Sequence, residues 1–199
     1  HLIIENCCGG GNRTDLGTLR RCNSLIISDH KEDHHISRLS LTGAARVLPG
    51  NYIKLSTFVG GNDPDWAVGP MALMSRMAGS VMIGGDIAHW SREHSQMVRR
   101  YLDGYKTFRH LLMKDFHALA PYPRGPKDWD VIEYVDPATG EAVVLAYRVR
   151  GEEGVRVVRP RQLDPAKDYE VADPFSGRKP RTISGQELLD RGLRLVLKP

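Results

Sequence analysis

The residues with chemistry to offer gather in the first third of the chain. Asp29 follows directly on the apolar run Leu25-Ile26-Ile27. A carboxylate at the end of a buried strand is held firmly, and partial shielding from water disfavours its charged form, as a general acid requires. A helix N-cap or loop aspartate is the plain alternative. Upstream, Gly9-Gly10-Gly11-Asn12-Arg13 lets a ligand approach the backbone closely, because no side chain stands in the way. The Lys-Ser/Thr of a P-loop and the spacing of a dinucleotide fingerprint are both absent, so a tight turn without ligand competes with that reading. His30, Asp33, His34 and His35 carry zinc-type donors. Adjacent imidazoles rarely share one ion, and this spacing fits no established zinc motif. A polar loop is the favoured reading, and no metal is expected. Asp86 sits at a similar strand end and is a reserve carboxylate.

Elements must bring these positions to one edge. Leu2 to Glu5, Leu25 to Ile27, Tyr52 to Phe58 and Ser80 to Ile83 are short apolar runs bounded by turn residues, and they predict strands. Helical segments alternate with them: Thr14 to Cys22, an irregular stretch from Asp33 to Val47, and Trp66 to Ala78, with Gly69-Pro70 near a first turn. Ser91 predicts the N-cap of the clearest helix, which carries Met97, Tyr101, Tyr105, Phe108 and Leu112 on one stripe. Met71, Met74, Met77 and Met82 read as core filling. Four strand–helix units predict a parallel sheet, either open or half of an eight-stranded barrel. In both, ligands meet the loops at the carboxyl ends of the strands. Those loops are Cys7 to Arg13, Ser28 to Asp33, Val59 to Asp63 and Gly84 to Asp86.

The character changes after Pro121-Tyr122-Pro123 and Gly125-Pro126. Trp129 to Val135 and Glu141 to Val149 flank the turn Asp136-Pro137-Ala138-Thr139-Gly140 and predict a hairpin with alternating faces. Val155 to Val158, Tyr169 to Val171, Arg181 to Ile183 and Leu193 to Leu197 extend the strand pattern into a small antiparallel sandwich. The expected division is residues 1–114 and 115–199.

Composition narrows the classes. The 199 residues are 41% hydrophobic and 26% charged, enough for a real core, and no apolar run is long enough to span a membrane. The net charge of +4 concentrates late, at Arg148, Arg150, Arg156, Arg159, Arg161, Lys167, Arg178, Lys179 and Arg181. No aromatic interleaving or binding motif accompanies these residues, so a solvated basic face is expected rather than a nucleic-acid surface. Cys7 and Cys8 are adjacent and do not bridge each other, which leaves Cys22 without an obvious partner. The chain opens on His1 and runs at once into Leu2-Ile3-Ile4, as a chain cut inside a strand would.

The run Glu5-Asn6-Cys7-Cys8-Gly9-Gly10-Gly11-Asn12-Arg13-Thr14-Asp15-Leu16-Gly17-Thr18-Leu19-Arg20-Arg21, with Ser28-Asp29 beyond it, resembles the signature of family 36 glycoside hydrolases, the α-galactosidases or melibiases. The segment Tyr105-Lys106 with Arg109 is similar to that family too. So are Leu163-Asp164-Pro165, Tyr169, Ser184-Gly185-Gln186-Glu187-Leu188 and Arg191-Gly192-Leu193. The resemblance implies the second half of a (β/α)8 TIM barrel followed by a C-terminal antiparallel β-sandwich. It further implies hydrolysis of terminal α-galactosyl groups with retention, by double displacement. Asp29 aligns with the acid/base, and Cys7 and the backbone at Gly10 with positions that contact the sugar. No cofactor is implied. The partner implied is an α-galactoside oligosaccharide or glycoconjugate, with no nucleic acid or membrane, and a homo-oligomer is compatible with it.

The family's nucleophile, an Asp in a Lys-x-Asp type motif on an earlier strand, has no counterpart before Leu2, so this fragment alone is expected to be inactive. Gly9 stands where the family commonly has Ser, Asn12 where Gly is common, and Ile26-Ile27 where Trp-Thr is usual. The loop after Asp29 lacks the usual Thr-Asp and is about two residues longer. These changes touch the pocket wall and leave α-N-acetylgalactosaminides open as substrates. A non-catalytic carbohydrate-binding or structural protein is the alternative from another class.

Overall fold

The structure, a computed structural model, describes residues 2–7, 9–29, 33–59, 69–85 and 87–197. The chain divides into two compact units, His1–Met113 and Lys114–Pro199.

The first unit is built on a parallel sheet of four strands, β1 (Glu5–Asn6), β2 (Ser24–Ile26), β3 (Ile53–Val59) and β4 (Ser80–Gly85). They lie side by side in chain order, with Asn6 opposite Leu25, Leu25 opposite Ile53, and Lys54 opposite Ser80. Leu25 and Ile26 are consecutive and both buried, as are Ile53 and Leu55 farther along the sheet. Neighbours on opposite faces of β2 are thus both covered, as a sheet flanked by helices requires. Glu5 and Lys54 form an ion pair that braces β1 to β3 across β2. The first strand is shorter than the apolar run predicts. Leu2, Ile3 and Ile4 stay exposed, because β1 has a partner on one side only among the described residues.

Helices return the chain between strands. α1 (Leu16–Leu19) is a single turn capped by Asp15, whose carboxylate accepts from the Thr18 N–H. α2 (His34–Ala44) buries Arg38, Leu41 and Thr42, and α3 (Pro70–Met74) starts on proline, which has no N–H to leave unpaired. The helix expected over Trp66 to Ala78 is therefore five residues long where it is described, and residues 60–68 lie outside the description. Met77 is buried as predicted, but Met71 is exposed and fills no core. α4 (Arg92–Phe108) is capped by Ser91 through the His94 N–H and buries Val98, Tyr105 and Phe108; of the predicted stripe, Tyr105 and Phe108 are buried and Met97 and Tyr101 are half-buried. The Tyr105 hydroxyl donates to the Gly79 carbonyl at 3.0 Å, tying that stripe to the residue before β4. None of the described helices is long and apolar enough to cross a membrane.

The second unit is antiparallel. β5 (Asp115–Ala118), β6 (Asp130–Val135) and β7 (Ala142–Tyr147) form one sheet in that order. β8 (Val155–Val158) pairs with β11 (Leu193–Val196), and β9 (Asp168–Val171) pairs with β10 (Arg181–Ser184). α5 (Gly185–Asp190) leads from β10 toward β11. Trp129, Val131 and Val158 form a core against Leu119, Val144, Ala146, Leu193 and Leu195, so the β5–β6–β7 sheet packs on the β8–β11 pair. The predicted hairpin is present, closed by the Asp136 N–H to Glu141 carbonyl bond at 2.8 Å. Its faces do not alternate as predicted: every residue of β6 is buried, so both faces of this strand are covered. The expectation of a uniformly solvated basic face also fails at Arg148, which is buried and donates to the Leu197 carbonyl.

Candidate functional site

The carboxyl ends of β1 and β2 bring the glycine loop and Asp29 together. β1 ends at Asn6, and the chain then turns through Gly9, Gly10 and Gly11 with φ of +65°, +61° and +88°. Three successive left-handed residues are a conformation that glycine adopts at little cost and other residues do not. The Asn12 N–H donates back to the Gly9 carbonyl at 3.3 Å and closes the turn. The buried Asn6 side chain donates from Nδ2 to the Arg13 carbonyl at 2.6 Å, tying the far end of the loop to the strand it left.

The loop lies on the end of β2. A methyl group added at Gly11 would overlap the Ile27 carbonyl, and one at Gly10 would sit 2.9 Å from Asp29 Oδ2. The Gly10 backbone and the Asp29 carboxylate are therefore neighbours, with no side chain between them. Just before Asp29, the Ile27 N–H donates to the Lys54 carbonyl at 3.1 Å, so β2 is still pinned to β3 there. Cys7 is an exposed free thiol at the start of the same loop.

Asp29 is exposed, not partly shielded as its position after an apolar strand predicts. The glycine loop seated on the end of β2 touches Asp29 on one side only and does not bury it. The N-cap reading of Asp29 goes to a different residue. Asp33 caps α2, accepting from the N–H groups of His35 at 2.7 Å and Ile36 at 3.3 Å. That leaves Asp29 five residues ahead of the first residue of the helix, on the loop side.

The histidine cluster is taken up by local structure. His35 Nδ1 lies 3.1 Å from Arg38 Nη2 and 3.3 Å from Arg38 Nε, a guanidinium contact at odds with a metal ligand. His34 is half-buried, and burial, followed by the Arg76 charge, pushes its pKa down and favours the neutral ring. His30 and Asp86 lie outside the described residues, as do residues 60–63 of the third loop. Among the described residues, no group of three or more His, Cys, Asp or Glu is arranged to hold a metal. Two open grooves of about 330 Å³ and 460 Å³ flank the helices of this unit. The first runs along α4 past Trp90 and Leu102, the second between Leu16 and Val47, and neither is lined by Cys7, Gly10 or Asp29.

One ionisable group escaped the sequence reading. Glu133 on β6 is fully buried, and its Oε2 accepts the Arg161 N–H at 2.8 Å. Burial pushes its pKa up to about 7 against the pull of that hydrogen bond and of the Arg161 charge. Its register partner on β5 is His117. Strand alternation within Val131-Ile132-Glu133-Tyr134-Val135 gives no warning, because a glutamate between apolar residues ordinarily marks a solvated face.

Residues 129–198 match the model of the glycosyl hydrolase family 36 C-terminal domain. The chain is similar to family 36 α-galactosidases. It is 27% identical to alpha-galactosidase AgaA of Geobacillus stearothermophilus over 86% of its own length and 24% of that protein's. To alpha-galactosidase 1 of Pediococcus pentosaceus it is 25% identical, over 75% of this chain and 20% of that one. The chain thus spans about a quarter of the length of the curated relatives it matches. All of it superposes on 27% of the AgaA crystal structure with a TM-score of 0.80 and 26% identity. On AgaB from the same organism it covers the same share at 0.77 and 26%. An AgaA variant solved in complex with raffinose is also similar, at 0.79 and 25%.

Proposed function

We propose that this chain supplies the C-terminal part of a retaining hydrolase that releases terminal α-linked galactosyl groups. In this reading residues 1–114 are the second half of a (β/α)8 barrel and residues 115–199 the β-sandwich that follows it. Four parallel strands paired strictly in chain order support the barrel half, since an open doubly wound sheet reverses its order at a switch point. The α-galactosidase relatives support the reaction, and the raffinose complex of one of them supports the substrate class. The observation that carries the proposal is the Asp29 carboxylate set against the Gly10 backbone at the carboxyl end of β2.

Asp29 is the acid/base. It gives its proton to the glycosidic oxygen as the bond to the anomeric carbon breaks, while a second carboxylate attacks that carbon from the opposite face. Asp29, now ionised, then takes a proton from the water that displaces the enzyme carboxylate and restores the sugar. Such a pair stands about 5–5.5 Å apart, and the nucleophile belongs to a strand upstream of these residues. Cys7 and the Gly10 backbone face the same galactosyl ring. The bound sugar and the upstream strands supply the cover that Asp29 lacks here. By itself the chain holds one carboxylate of the two and is inactive.

In a polypeptide carrying this chain behind its upstream half-barrel, Asp29→Asn is expected to depress hydrolysis of raffinose-type sugars by about 10²-fold or more, the usual worth of a general acid. Activated aryl α-galactosides, whose leaving oxygen needs no proton, should lose far less in the glycosylation step. Equal losses on both would remove Asp29 from the role. Parallel assays with aryl α-N-acetylgalactosaminides decide between the two sugar classes.

A further inference from the structure

The glycine loop touches β2 at two places, and only one of them is assigned a role above. Gly10 faces the Asp29 carboxylate. Gly11, one residue on, rests its Cα on the peptide at Ile27, two residues before Asp29. An added Cβ would lie 2.6 Å from the Ile27 carbonyl carbon and 2.9 Å from its Cα. Real Cβ atoms are essentially never that close to backbone, and the obstacle here cannot rotate away as a side-chain tip can. The φ of +88° at Gly11 adds a second reason for a residue without Cβ.

The loop's far end is held independently. Asn6, buried at the end of β1, donates to the Arg13 carbonyl at 2.6 Å, so the far end of the glycine loop is anchored to β1. Asn6 is itself opposite Leu25 on β2, so anchor and carboxylate belong to adjacent strands in fixed register. The loop is a strap: tied down at Asn6–Arg13, seated on β2 at Gly11, and pressing Gly10 against Asp29.

We propose that Gly11 and Asn6 are positioning residues for Asp29, holding the loop backbone against β2 so that the carboxylate keeps one orientation toward the ligand side of the sheet. An exposed carboxylate without such a support samples several χ1 rotamers. Its value as a proton donor depends on being aimed, since a small misplacement of a reacting group costs on the order of 10²-fold. The consequence for catalysis rests on the acid/base reading of Asp29; the orientation of the side chain does not.

Two measurements separate these. In the isolated chain, three-bond couplings to Asp29 Cγ report its χ1 distribution. They are expected to show one dominant rotamer in the native protein and averaging in Gly11→Ala and in Asn6→Ala, with the Asp33 couplings unchanged as a control. Unaltered Asp29 couplings in a folded Gly11→Ala chain, or in folded Asn6→Ala if Gly11→Ala does not fold, overturn the proposal. In the polypeptide with the upstream half-barrel, both variants should lower kcat on raffinose-type sugars about tenfold more than on activated aryl galactosides, with KM little moved. A merely structural defect would lower the active fraction and affect both substrates alike, which also overturns it. Averaged couplings in variants of a protein whose Asp29→Asn form shows no leaving-group dependence would leave the positioning intact and remove the acid/base role.

Discussion

Asp29 and Glu133 are both carboxylates placed by strands, one beyond a strand end and one within a strand, and they meet opposite environments. Asp29 sits past the end of β2 in solvent, whereas Glu133 is in the middle of a strand buried along its whole length. The residue-scale consequence falls on Glu133. An unfolded glutamate ionises near 4.5, and the folded one holds its proton to about 7. Below 4.5 both forms are protonated and the buried acid is not penalised. Between 4.5 and 7 the unfolded chain releases its proton and the folded one does not, so stability falls as pH rises. Above 7 the loss is complete, at roughly 3 kcal/mol by the usual 1.4 kcal/mol per pH unit. Glu133→Gln, which keeps an oxygen for the Arg161 N–H and removes the charge, should flatten the pH dependence over that interval in urea unfolding of residues 114–199. An unchanged slope in the variant would assign the dependence to another group.

At the scale of elements, the readable ones carried their own instructions. α4 announced itself by a serine cap and an apolar stripe, and both hold in the structure. α2 was legible as a helical or partly irregular return without clear bounds, because its buried face includes Ser37, Arg38 and Thr42 and gives little hydrophobic period. Its start is fixed by Asp33 instead. Removing that cap by Asp33→Ala should cost about 1 kcal/mol, measured as a shift in the urea midpoint of the first unit, and Asp33→Asn should recover most of it. Recovery by glutamine but not asparagine would point away from capping. β5 was missed because Asp115-Phe116-His117-Ala118 offers four residues and no clean alternation; its pairing with β6 makes it a strand. α5 was missed because six residues between two strands are too few to show a period.

For the whole molecule, the decisive feature is the sheet edge that β1 presents among the described residues. β1 is an edge, and the residues leading into it are apolar and open to water, Leu2 at 81% and Ile3 at 79% exposure. An uncovered apolar edge promotes association between chains. The isolated chain should therefore show concentration-dependent light scattering, and Ile3→Lys should reduce it severalfold without changing the unfolding midpoint. Identical scattering from the variant would locate the association elsewhere.

The sequence by itself determined the strand–helix order of the first unit, the β-hairpin of the second, and the likeness carried by the glycine loop and Ser28-Asp29. Those properties are local: they depend on the period of apolar residues, on caps, and on glycines where a side chain cannot fit. Tertiary structure alone decided that Gly10 lies against Asp29, that Asn6 fastens the loop, that Asp29 stands in water, and that Glu133 does not. Each depends on which strands become neighbours and what covers them, and burial is a property of the assembled sheet rather than of any residue in it.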